Sequence, residues 1–154
     1  MVRQAVAREE HRSAQLADRV DQCVSVGHGP HGADSKTFTI LDHFASRRSF
    51  GTLIKRDLGG AFLVVSVGAN KGTPARKGWF ELLAAFKIFS DTHPEALLYL
   101  HTEITGIAGG EDLREVMALV GLDPERVVFP PQYDYLCGNF KPSALALIYN
   151  AADV

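Results

Sequence analysis

Cysteine is scarce in this chain of 154 residues: Cys23 and Cys137 are the only two. They form no CxxC pair, and no His/Cys spacing suggests zinc. A disulfide-stapled scaffold is therefore not indicated, and two isolated thiols fit a reduced, cytosolic setting. The sequence leaves a bond between them open. Long apolar runs are missing too. No stretch approaches the roughly 20 residues that cross a bilayer as a helix. The start, Met1-Val2-Arg3-Gln4, is polar where a signal peptide would be apolar. Nor does one sign of charge dominate. Sixteen Lys and Arg against 18 Asp and Glu leave a formal net charge of -2. That balance gives no support for a general binder of nucleic acid or of membrane surfaces, so any anion site has to be local. Also absent are a Walker loop, a GxGxxG loop and a nucleophile elbow.

What is present is ordinary for a soluble globular domain: 46% hydrophobic and 22% charged residues. Residues 1 to about 22 predict a weak helix with Leu16 and Val20 on one stripe. A loop over residues 27 to 36 follows, then a mixed connecting region with one short helix from Ser46 to Lys55. From Ala61 the pattern sharpens. Phe62-Leu63-Val64-Val65-Ser66-Val67 is an apolar, β-branched run, the signature of a buried strand in a parallel sheet. A helix is predicted from Lys77 to Thr92, with Trp79, Leu82, Leu83, Phe86 and Phe89 at helical spacing. Ala96 to His101 is a second strand. Gly109-Gly110 opens a second helix, with Glu111 and Asp112 in its first turn and Gly121 as its cap. Val127-Val128-Phe129 is a third strand. Ser143 to Ala152 is a third helix, burying Leu145, Ile148, Tyr149 and Ala152.

Strand and helix alternate throughout, so the expected fold is α/β: a Rossmann-like open parallel sheet with flanking helices. Residues 1–60 are assigned to an N-terminal segment and linker, and residues 61–154 to the sheet domain. Such sheets bind ligands beyond the carboxyl ends of their strands. There the run Gly68-Ala69-Asn70-Lys71-Gly72-Thr73-Pro74-Ala75-Arg76-Lys77-Gly78 joins a strand to a helix N-terminus. Unpaired backbone N–H groups and the helix dipole favour an anion there. Lys71, Arg76 and Lys77 supply charge, and Gly68, Gly72 and Gly78 allow close approach. Phosphate fits this set; the plain alternative is a solvated basic loop.

Val65 to Phe86 resembles the first strand, loop and helix of the donor-binding domain in glycosyltransferase family 4, of the GT-B fold. His93 to Thr102 is similar to that family's second strand. Leu145 to Val154 is similar to the helix that precedes its "AD" strand. Gly29-Pro30-His31-Gly32-Ala33-Asp34 with Phe38 is similar to its interdomain linker. The resemblance covers about residues 27 to 154, in the family's order. It implies a retaining enzyme that moves a sugar from a nucleotide-sugar donor to an acceptor, without a metal or other cofactor. Lys77 matches the family's phosphate-binding lysine, with Arg76 assisting in catalysis. Gly68, Asn70, Lys71 and Gly78 would line the donor phosphates. The family's usual arginine is replaced near Asn70, so Lys71 or Arg76 stands in for it, or Asn70 hydrogen-bonds a phosphate. Pro131, Gln132 and Tyr133 would face the nucleobase. The family's glutamate motif and its acceptor domain do not occur in these residues. A truncated, inactive fragment is therefore expected, associating through an open sheet edge. A nucleic-acid partner is not expected, and the acceptor is undefined. Its setting is cytoplasmic, with a membrane-peripheral parent enzyme as the alternative. The rival reading is a non-catalytic nucleotide or phosphosugar-binding half-domain or split-enzyme subunit. His28, His31, His101, Glu103, Tyr133 and Tyr135 read first as structural groups.

Overall fold

The computed structural model describes residues 33–154, apart from Thr73. The helix expected over the first 22 residues, Cys23, His28, His31 and the start of the linker motif lie outside the described residues. Asp34–Val154 form one compact unit. Its elements are α1 (His43–Ile54), β1 (Phe62–Val67), α2 (Trp79–Thr92), β2 (Ala96–His101) and α3 (Leu113–Val120). A single 3-10 turn, Pro124–Arg126, leads into β3 (Val127–Val128). Then come α4 (Gln132–Leu136) and α5 (Pro142–Ala151).

The strands form an open parallel sheet in the order β1-β2-β3. All six residues of β2 are buried, as a central strand covered on both faces requires. On one face Leu98 and Leu100 pack with Trp79, Leu83 and Phe86 of α2 and with Leu113 and Met117 of α3. On the other, Leu97 and Tyr99 pack with Phe50 of α1 and with Ile148 and Ala151 of α5. The Phe50 and Tyr99 rings meet edge to face at 4.8 Å. The molecule is thus mixed α/β with a small parallel sheet between helices, consistent with a Rossmann-like fold. Leu98 is fully enclosed. Cutting it to alanine costs about 2–5 kcal/mol, because a close-packed centre cannot collapse to fill the space.

Several expectations shift. The sheet unit starts at Asp34, not Ala61, because α1 supplies Phe50 to the core. That helix begins at His43, three residues early, since the Asp42 carboxylate caps it by accepting from Ala45 N–H. The helix expected from Lys77 begins at Trp79. Gly78 precedes it with φ 63°, a left-handed conformation that suits glycine and breaks the helix there. Glu111 and Asp112 do not form the first turn of α3. Asp112 caps that helix instead, accepting from Arg114 N–H, and Arg114 holds its carboxyl down to about 2. Tyr149 was expected to be buried but is 52% exposed, while Ala146 and Ala151 face the core. The short helix α4 was not anticipated.

Asp153 and Val154 run beside β1. Val154 N–H donates to Leu63 O at 3.3 Å, and Val65 N–H donates to Val154 O at 2.8 Å, a parallel ladder.

Candidate phosphate-binding site

Three loops meet at the carboxyl edge of the sheet. The first leaves β1 at Gly68, whose N–H still donates to His101 O at 3.3 Å. Two residues on, Asn70 turns inward and is 3% exposed. Its amide donates to Glu103 O (3.0 Å) and Glu111 O (2.7 Å) and accepts from Glu111 N–H (3.0 Å). Both amide hydrogens are therefore used within the protein. This corrects the suggested phosphate bond from Asn70: the side chain ties the first loop to the second. A Cβ at Gly110 would overlap Asn70, so glycine is needed for the two loops to close. Lys71 adds backbone bridges to Ala108 and Gly109.

With the loop anchored this way, its cations face outward. Lys71, Arg76 and Lys77 are exposed. None of them enters an ion pair among the described residues. The stem of Lys77 lies across Gly68, with Cγ, Cδ and Cε 3.3–3.4 Å from where a Cβ would stand. The end of β1 thus supports the lysine along its methylene chain. Gly78 N–H donates to Ala75 O at 2.9 Å, closing the turn that carries Arg76 and Lys77. No side chain caps α2. Glu81, in its first turn, places Oε2 3.2 Å from the Cβ position of Gly78.

The second loop is fixed by its own acid. Glu103 is 6% exposed. It accepts from Thr105 N–H, from the Thr105 hydroxyl (2.5 Å) and from Ile107 N–H (3.0 Å). Burial raises its pKa, but the hydrogen bonds from Thr105, Ile107 and Gly106 outweigh that and hold it below the usual range.

The third loop is tied down by Gln132. Its Oε1 accepts from Ile104 N–H (3.0 Å), and its Nε2 donates to Pro130 O (2.9 Å) and Thr102 O (3.3 Å). Gln132 therefore braces two loops with its polar atoms and is not free to read a base. Pro131 and Tyr133 stand exposed beside it, Tyr133 at 76%. His101 lies beneath this loop. Its Nδ1 is 2.9 Å from the Tyr99 hydroxyl, and its ring meets those of Tyr135 and Phe140 edge to face. Burial lowers the His101 pKa and raises that of Tyr99, so both stay neutral. Three buried polar atoms without a partner among the described residues flank the same edge: Trp79 Nε1, Thr102 Oγ1 and Glu111 Oε2.

No protein family, curated protein or solved structure matches this chain. The chemistry of the edge therefore rests on its geometry. No group of three or more His, Cys, Asp or Glu side chains gathers as metal ligands among the described residues. No helix there is long and apolar enough to cross a membrane. Cys137, at the end of α4, is an exposed free thiol.

Of the residues singled out in the sequence, Gly68, Lys71, Arg76, Lys77 and Gly78 belong to the first loop, where the three cations are exposed and Lys77 lies on Gly68. Asn70 of the same loop is buried, and Pro131, Gln132 and Tyr133 belong to the third loop. Sequence reasoning missed the bracing roles of Asn70, Glu103 and Gln132. Their partners are mainly backbone groups of other loops, which leave no residue-type signal.

Proposed function

We propose that this chain binds the diphosphate of a nucleotide-sugar donor and is part of a retaining, GT-B glycosyltransferase. The observation that carries the reading is Lys77 lying across Gly68 at the end of β1, its ammonium without an ion-pair partner among the described residues, in a loop that also carries Arg76 and Lys71. When the bond between sugar and diphosphate breaks, negative charge grows on the leaving phosphate. A fixed ammonium and a guanidinium at that point offset the charge without a proton transfer. Arg76 can take two oxygens at once, while Lys71 and Lys77 act as point charges. Asn70 and Gln132 support the reading as braces, because a site held by buried hydrogen bonds loses less entropy on binding. Such charge stabilisation by side chains needs no metal.

The test is the thermal midpoint of the full chain with UDP, GDP or ADP, beside Lys77→Ala. A ligand at 100 times its Kd adds about 2.7 kcal/mol, or roughly 5–10 °C at this chain length. One nucleotide should give that shift, and Lys77→Ala should remove most of it. No shift with any of the three at millimolar concentration would overturn the donor-site reading for this chain.

A further inference from the structure

The amino end of the sheet holds a second set of unpaired cations, around a cavity of about 1050 Å³. Phe44, Arg48, Thr52 and Lys55 of α1 and its cap line it together with Arg56 and Gly60. Arg47 also reaches this cavity, but its guanidinium is consumed by Asp153 and by backbone carbonyls. Arg48, Lys55 and Arg56 enter no ion pair among the described residues. The acids nearby are Asp153, which pairs with Arg47, and Asp57, which accepts from Gly59 N–H at 2.9 Å.

Lys55 sharpens the point. It closes α1 with φ 56°, and it is the one non-glycine residue with positive φ among those described. Glycine usually fills this capping position, and any side chain there is strained. Strain kept at one position calls for a local use of the side chain. Here the side chain is an ammonium lining the cavity beside two free guanidinium groups.

We infer that this cavity is an anion site for a phosphate-bearing ligand, held by Arg48, Lys55 and Arg56, independent of the edge that carries Lys77. Two sources share that chemistry: a free phosphorylated molecule and a phospholipid headgroup. The second is suggested by Phe44, an apolar lining residue at 75% exposure, which a small soluble anion would not use.

Amide NMR spectra of the full chain, titrated with inorganic pyrophosphate, form one arm of the test. Co-sedimentation with phosphatidylcholine vesicles, with and without phosphatidylserine, forms the other. Lys55→Gly removes the charge and relieves the strain, so it should match or exceed the parent in thermal midpoint while binding about tenfold more weakly. Lys77→Ala should leave the response over residues 51–60 unchanged. Pyrophosphate shifts over residues 51–60 that weaken in Lys55→Gly would establish the site with a free ligand. Binding only to phosphatidylserine vesicles, weakened by Lys55→Gly, would establish it with a lipid headgroup. The inference is overturned if neither probe binds, or if Lys55→Gly binds either probe as the parent does. Pyrophosphate shifts confined to residues 68–78 would overturn it too, while supporting the donor site.

Discussion

Arg47 at the amino end of β1 and the loop cations at its carboxyl end are held in different ways. At the amino end Arg47 is 9% exposed, and its guanidinium meets Asp153 at 2.6 Å, Leu58 O at 2.7 Å, and the carbonyls of Ala61 and Ala151. At the carboxyl end Lys71, Arg76 and Lys77 stand in solvent with no carboxylate partner among the described residues. The difference follows from desolvation. A charge taken out of water must be paired and hydrogen-bonded, or it cannot be kept. A charge left in water needs no partner and stays free to meet an incoming anion. One end therefore uses a cation to fasten the chain, joining α1, the start of β1 and residues 151–153. The other fastens its loops with neutral amides and a buried acid, Asn70, Gln132 and Glu103, and leaves its cations unspent.

The largest effect should come from Arg47. Arg47→Leu takes the guanidinium away from the Asp153 carboxylate and from the carbonyls of Leu58, Ala61 and Ala151, and breaking such a buried pair costs about 3–5 kcal/mol. Urea unfolding measures it directly. A loss below about 1 kcal/mol would mean that water reaches these groups, and the contrast between the two ends would fail. Asn70→Ala comes next. It removes three hydrogen bonds at the carboxyl end and strands backbone groups of Glu103 and Glu111, at a cost of roughly 2–3 kcal/mol. If Asn70→Ala proved neutral, the loops would be braced by something other than this side chain.

Acid separates the two ends in a further way. Burial raises the Asp153 pKa, but the Leu63 N–H, Arg47 and His43 together hold it below its ordinary value. Glu103 is also held low, by hydrogen bonds alone. A carboxyl depressed on folding adds stability above its unfolded pKa, and that stability is lost as pH falls through the folded value. Unfolding free energy should therefore decline on acidification below the ordinary carboxylate range. Glu103→Gln should flatten part of that slope at any ionic strength. The Asp153 contribution, which includes attraction to the Arg47 guanidinium, should shrink modestly as salt is added. Chemical denaturation at several pH and salt values reads both.

The local patterns in the sequence were enough for most of the elements but not for the ties between them. The alternation of apolar runs and helical stripes placed β1, β2 and α2 within two residues, because burial on a sheet or helix face imposes a period that the residues must follow. Helix starts were less legible. Lys77 reads as helical until Gly78 takes φ 63°, and Asp112 reads as a first-turn acid although it is the cap. The phosphate loop was legible as a set of residue types, since glycines and cations cluster within eleven residues. Asn70 in the same run was read by its chemistry, as a donor for phosphate. Its partners lie 33 and 41 residues away in sequence and are backbone atoms. Arg47 and Asp153, 106 residues apart, were not singled out at all, for the same reason.

Lys77 should give the smallest change in stability and the most informative one. It is exposed and unpaired, so Lys77→Ala should alter the unfolding free energy by no more than about 0.5 kcal/mol. Methylene packing on Gly68 is all that it loses in the free protein. The same substitution should abolish most of the nucleotide-induced rise in melting temperature. Arg76→Ala should act in the same direction with a smaller loss, since Arg76 has no comparable support. A residue that fastens the fold changes stability whether or not ligand is present, whereas a residue reserved for ligand changes only the difference between the two. Measuring Arg47→Leu and Lys77→Ala with and without nucleotide therefore tests the contrast at both ends. If Lys77→Ala lowered stability by several kcal/mol without ligand, the ammonium would be part of the scaffold. The carboxyl edge would then have no cation set aside for a phosphate.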